Sequence, residues 1–164
     1  RAAYRPLNAL FPSLTAIALI AGCSTPQSAQ GANRSNIDAA VAVLESLETR
    51  DATAMAVIDH TAYVQHNLAV ADGVDGLSAL LSSIPEDAIQ VQVKRAFADG
   101  PFVVTHSEYE FFGPKVGFDV FRFEGGRIVE HWDNLGPISP PNPSGRTQLD
   151  GPTDVYVVEA TAEN

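Results

Sequence analysis

Between Lys115 and Asn134 the chain reads KVGFDVFRFEGGRIVEHWDN, two arms of alternating apolar residues on either side of Gly125-Gly126. Such a pair is a hairpin signal, because both central residues of the favoured two-residue turn take positive φ. The turn sets Glu124 opposite Arg127. Strict alternation then pairs Phe123 with Ile128, Phe121 with Glu130, Val120 with His131 and Asp119 with Trp132. In that register His131 and Asp133 share a face with Phe118 and Val120, while Trp132 points to the other face. An imidazole and a carboxylate two residues apart on an apolar face can form a proton-handling pair, since burial favours the neutral acid. The same pattern fits a strand that simply ends at the solvent edge.

The segments before the hairpin supply its cover. Ser35 and Asp38 fit the start of a helix in which Ile37, Val41, Leu44 and Leu47 recur at helical spacing, ending near Arg50. Asp51 can cap a second, alanine-rich helix through Ile58. The stretch from Asp59 to Asn67, DHTAYVQHN, concentrates histidines, a tyrosine and amides, and reads either as a solvated loop or as part of a site. Asp72-Gly73 and Asp75-Gly76 are turn signals before a third helix, Leu77 to Ser83, which Pro85 stops. Ile89 to Asp99 alternates as a half-buried strand, with Ile89, Val91, Val93 and Phe97 on one face. Asp99-Gly100 turns it into a returning strand, Pro101 to Phe112, which places His106 opposite Val93 on that apolar face. A histidine there is a satisfied core residue or a pocket-lining one. Helices followed by an antiparallel meander make an α+β domain.

The chain has 164 residues, enough for one domain with a real core, and a formal net charge of −10. Its basic residues, Arg34, Arg50, Lys94, Arg95, Lys115, Arg122, Arg127 and Arg146 among them, are scattered, so nothing offsets the repulsion of a nucleic acid. No EF-hand run and no His-x-x-x-His or Cys-x-x-Cys spacing is present, and the reading includes neither a metal nor a cofactor. Beyond Asn134 the run GPISPPNPSG is too rich in proline to continue a sheet and is expected along the surface, with Thr153 to Glu159 as a possible edge strand.

At the other end, Arg1 and Arg5 precede the apolar Leu14 to Ala21, and Ile20-Ala21-Gly22-Cys23 resembles the lipobox of bacterial lipoproteins. That resemblance implies lipidation of Cys23, the chain's only cysteine, and a place in the cell envelope reached through that anchor alone. A buried N-terminal helix with an incidental thiol is the other reading, and it leaves the protein in the cytoplasm. The expected organisation is a leader over 1–23, a flexible tether over 24–34, one domain over 35–138 and a proline-rich tail or linker over 139–164.

The order of elements, the ending DVFRFEGGRIVEHWD, and Tyr63-Val64-Gln65-His66-Asn67 followed by Ala71-Asp72-Gly73 and Gly76-Leu77 resemble the nuclear-transport-factor-2-like superfamily, within it the SnoaL-like polyketide cyclases and their relatives. The resemblance covers about Asn36 to Gly151. It implies a cone-shaped fold, a strongly curved antiparallel or mixed sheet wrapped around the N-terminal helices, and a homodimer across the sheet. It also implies that Asp133, His131 and His66 converge inside the cone as catalytic residues, Asp133 as the base with Asp119 the next candidate. Tyr63, Asn67, His106, Phe118, Asp119, Phe121 and Trp132 are the implied pocket residues. The implied function is cofactor-independent acid-base chemistry, such as aldol-type cyclisation or isomerisation, on a small apolar carbonyl compound. A non-catalytic, envelope-anchored ligand-binding or protein-interaction module on the same fold is the alternative.

Overall fold

The computed structural model of the protein describes residues 26–154; the leader, Cys23 and most of the Thr153–Glu159 stretch lie outside the described residues. Four long strands carry the fold: β2 (Ile89–Asp99), β3 (Phe102–Phe111), β4 (Pro114–Glu124) and β5 (Arg127–Pro137). A short β1 (Val64–Gln65) precedes them in the chain and runs parallel to β5, so the open, mixed sheet has the order β1-β5-β4-β3-β2. Helices α1 (Pro26–Thr49), α2 (Ala52–Met55) and α3 (Gly73–Ser83) complete the α+β architecture.

Helix α1 lies against β2 and β3 through Ala40, Val43 and Leu44, with Ile37 and Leu47 beside them, the spacing of a single helical face. It starts at Pro26, so residues 26–34, expected as a tether, are helical here. Proline suits a first turn, and the alanine and glutamine that follow are good helix formers. Asp51 caps α2 by accepting from the Thr53 N–H, and Asp72 caps α3 by accepting from the Gly73 N–H, which starts α3 four residues before Leu77. Among the described residues no helix is long and apolar enough to cross a membrane.

The core closes between these helices and one face of the sheet, around Ile58, Tyr63, Ile84, Ile89, Val91, Val103, Tyr109, Phe121, Phe123 and Ile128. Each large apolar side chain buried there contributes about 1.5–3 kcal/mol. Gly125 and Gly126 take φ of 56° and 78°, as the hairpin signal requires.

Two bulges change which residues face inward. In the β4–β5 hairpin Phe123 pairs with Ile128, but Arg122 pairs with Glu130, so Val129 is the extra residue of β5. From there the register differs by one from strict alternation: Phe121 faces His131, and Asp119 faces Asp133. His131 and Asp133 therefore join Phe121 and Asp119 on the inner face, while Phe118 and Val120 lie on the outer one, which corrects the sequence expectation. A second bulge, at Lys94, shifts β2 against β3, so His106 pairs with Arg95 instead of Val93. His106 and Phe97 consequently belong to the face opposite Ile89 and Val91.

The described part of the tail after β5 is tied to the sheet. Arg95 donates from Nε to the Pro152 carbonyl at 2.9 Å and from Nη2 to the Leu149 carbonyl at 3.1 Å, holding this extended segment near the β2 edge.

Candidate active site

The interior of the sheet and helices holds a cavity of about 90 Å³. Val43, Leu44 and Leu47 of α1 and Leu77, Leu80 and Leu81 of α3 give it an apolar wall, continued by Ile58, Ile89, Phe111, Ile128 and Leu135. The polar lining comes from the sheet and the β1 segment: Tyr63, Gln65, Asn67, Tyr109, Asp119, His131 and Asp133.

The segment around β1 supplies one side of this polar set, Tyr63, Gln65 and Asn67. Pairing with β5 puts Gln65 beside His131, and Asp72, the cap of α3, also accepts the Gln65 N–H at 2.8 Å, tying strand to helix. Gln65 Nε2 donates to the Tyr63 hydroxyl at 3.0 Å. Its Oε1 accepts the Asn67 backbone N–H at 3.0 Å, which fixes the orientation of the amide, and lies 3.1 Å from His131 Nδ1. Asn67 in turn donates from Nδ2 to Asp133 Oδ2 at 2.5 Å.

The other side centres on Asp119, which is 2% exposed. Its Oδ2 accepts from the Tyr109 hydroxyl at 2.5 Å and the Thr105 hydroxyl at 3.3 Å, and its Oδ1 lies 3.3 Å from His131 Nε2. The His131 ring also stacks on Phe121, with centroids 4.6 Å apart. Gly117 makes room for this arrangement, since a Cβ there would stand 2.8 Å from the Tyr109 ring and 3.0 Å from Leu135. Burial, followed by the nearby charge of Asp133, pushes the Tyr63 phenol well above its ordinary value; burial and then Asp119 do the same to Tyr109. Both remain hydroxyl donors at neutral pH.

Six of the residues singled out from the sequence line this cavity: Tyr63, Asn67, Asp119, Phe121, His131 and Asp133. Four others stand outside it. His66 neighbours Gln65 on β1 and so points outward, 2.9 Å from Glu130 and stacked on Trp132 at 4.8 Å. Trp132, between His131 and Asp133, is outside by the same alternation. The Lys94 bulge turns His106 outward, where it meets Arg95 and stacks on Phe118 at 4.3 Å. Phe118 is itself 53% exposed. Burial, then the Arg95 charge, holds the His106 ring below its ordinary value, so it stays neutral there. Thr105 and Tyr109 belong to the site but sit at ordinary alternating strand positions and carried no distinguishing signal in the sequence; Gln65 lies in the dense polar stretch, in a strand too short to show by its period which way it points.

A family model for the SnoaL-like domain matches residues 40–131, more than half of the chain. The chain belongs to the SnoaL-like domain family. No curated protein matches the sequence. Among solved structures it is similar to an LEH-like epoxide hydrolase from M. tuberculosis, with 22% identity over 63% of this chain and 84% of that one and a TM-score of 0.53. It is similar also to an NTF-2 like protein of unknown function from Burkholderia xenovorans, with 18% identity over 72% and 97% and a TM-score of 0.58. A third is TsrD from Streptomyces laurentii, with 20% identity over 62% and 88% and a TM-score of 0.52. At these identities the likeness shows a shared fold, the nuclear-transport-factor-2-like cone, and leaves chemistry to the residues of the site.

In this SnoaL-like domain the matched segment contains the Tyr63–Asn67 stretch, Asp119 and His131 and ends two residues short of Asp133. One ligand-capable atom each from Asp119, His131 and Asp133 lies within 4.8 Å of the others, the group among the described residues that could hold a cation. His131 and Asp119 already face one another, however, so a metal would have to displace that contact.

Proposed function

We propose that this SnoaL-like domain binds a small apolar carbonyl compound in its interior cavity and moves a proton next to the carbonyl without a cofactor, as in an isomerisation or an aldol-type ring closure. The observation that carries this reading is the asymmetry of the two carboxylates. Asp119 has three partners, whereas Asp133 accepts from Asn67 Nδ2 alone among the described residues. Asp133 thus keeps an oxygen unengaged beside the apolar wall of the cavity, where a carboxylate is poorly solvated and works as a base. A carbon acid held there loses a proton to Asp133, and the charge that grows on the carbonyl oxygen needs a donor. Tyr63 supplies one, because its oxygen accepts from Gln65 and its own O–H remains to be given.

Exchange of the α-protons of cyclohexanone in D2O, followed by proton NMR, tests this. The wild-type protein accelerates the exchange, and Asp133→Asn, folded by circular dichroism, loses about 100-fold or more of that acceleration. Equal rates in the two proteins remove Asp133 from the mechanism. The lipobox-like Ile20 to Cys23 supports, in addition, an envelope location through a lipidated cysteine. Cys23→Ser is expected to lose acyl labelling, and unchanged labelling with membrane fractionation rules the anchor out.

A further inference from the structure

Gln65 joins three polar residues of the cavity, Tyr63, Asn67 and His131. Its Oε1 faces His131 Nδ1, its Nε2 holds the Tyr63 oxygen, and through the Asn67 N–H it anchors the residue that holds Asp133. Because the Asn67 backbone can only donate, the atom turned toward His131 is an acceptor. On the other side of the ring, Nε2 faces Asp119 Oδ1, also an acceptor. A neutral imidazole has one N–H and satisfies one of these contacts; the imidazolium has two and satisfies both.

The charges agree. Asp119 and Asp133 approach His131 and each other within 4.8 Å, and among the described residues the cavity lining contains no lysine or arginine. Two carboxylates so placed in a largely apolar space need a cation between them, and His131 is the group there that can supply it. Asp119 also accepts the hydroxyls of Tyr109 and Thr105.

We infer that Gln65 is a positioning residue that holds His131 in its doubly protonated form against Asp119, making the ring the acid that works opposite the Asp133 base. The acid role rests on the reaction proposed above, whereas the protonation of the ring does not. In the reaction, Asp133 takes a proton from the substrate carbon as the C–H electron pair moves into the carbon–carbon bond and the carbonyl π pair moves onto oxygen. His131 passes its Nε2 proton to that oxygen and is left neutral, with Nδ1–H still on Gln65. When the enol collapses, its O–H proton returns to His131, and Asp133 delivers its proton to carbon, at a different position in an isomerisation. Protons and charge balance over the cycle with no other reactant.

The experiment is 15N NMR of the histidine-labelled full chain at neutral pH, in the wild type, Gln65→Leu and Gln65→Glu, with His131 assigned by its loss in His131→Asn. The wild type is expected to show both His131 nitrogens protonated. Gln65→Leu lacks the acceptor and is expected to show one bare nitrogen, with ketone exchange slowed about 10-fold or more in kcat. Gln65→Glu keeps an acceptor and is expected to restore the doubly protonated ring, which a merely structural role would not do. A bare nitrogen on wild-type His131, or a Gln65→Leu protein that keeps both protons, overturns the inference. If Gln65→Leu does not fold, the wild-type and Gln65→Glu spectra decide alone. A doubly protonated His131 in a wild-type protein that does not exchange ketone protons contradicts the proposed reaction and leaves the assignment of Gln65 to the ring standing.

Discussion

Asp119 and Asp133 are opposite one another across β4 and β5, yet their surroundings give them different work. Asp119 is the hub of a buried network, accepting from the Tyr109 and Thr105 hydroxyls and facing His131 Nε2, and its loss leaves all three without that partner. Removing one partner from a buried charge network costs about 3–5 kcal/mol, so Asp119→Ala is expected to lower the midpoint of thermal unfolding sharply, whereas Asp133→Asn leaves it nearly unchanged. Comparable midpoints for the two variants, measured by circular dichroism, would mean that Asp119 is not the hub. At this scale the sequence was informative about residue type and silent about direction. His131 and Asp133 stand out as polar residues in an apolar alternation, and Tyr63 and Asn67 as part of a dense polar stretch. Whether each points inward depends on register.

Register belongs to the elements, and two single-residue bulges decide it. Strict alternation across Gly125-Gly126 would bring Glu130 to the Phe121 side; the extra residue Val129 brings His131 there instead. Valine in the bulge is as apolar as its neighbours, and Lys94 in the other bulge is as polar as the exposed positions around it, so neither announces itself. The long strands and the cap of α2 were legible because each has a chemical marker: alternation, Gly-Gly, or an aspartate before a helix; Asp72, which reads as a turn residue before Gly73, instead caps α3. Strand β1 was not, since two residues cannot display a period. The packing of β4 on β3 offers its own test at Gly117. Gly117→Ala sets a methyl 2.8 Å from the Tyr109 ring, which must move and so loosen its hydrogen bond to Asp119. A loss of about 1–3 kcal/mol of stability is expected from such overpacking, read as a lower urea midpoint with an unchanged slope. An unaffected midpoint would show that Tyr109 can yield without cost.

At the scale of the whole molecule, stability should fall at both ends of the pH range. Hydrogen bonds from the Thr61 N–H and hydroxyl hold Asp59 below the usual carboxylate range, the Gln65 N–H does so for Asp72, and His66 followed by Arg122 does so for Glu130. Depressed carboxyls contribute stability that is present above the unfolded value of about 4 and is lost as pH falls through the folded ones. His106, held neutral by burial and Arg95, adds a loss that begins as pH drops below about 6.5. Tyr63 and Tyr109 act at the other end: their raised values contribute stability that is present below about pH 10 and is lost as pH rises through the folded values. Thermal midpoints are therefore expected to fall on acidification below about pH 6.5 and again as pH rises above about 10. A midpoint that rises on acidification below about pH 6.5 would contradict these assignments.

The α+β class was readable from the order of elements, because helices that precede a meander have one sheet face to cover, whereas the cone was implied by the family resemblance. The shape of the cavity was not, since it depends on side chains from every element meeting at one place. That the interior of the cone is where a small apolar carbonyl compound binds is the central claim, and intermolecular NOEs between cyclohexanone and the methyl-labelled protein test it directly. Contacts to Leu81, Ile128 and Leu135 on the cavity wall are expected. Contacts confined to outer-face methyls such as those of Val64 and Val120, with none to the cavity wall, would contradict it.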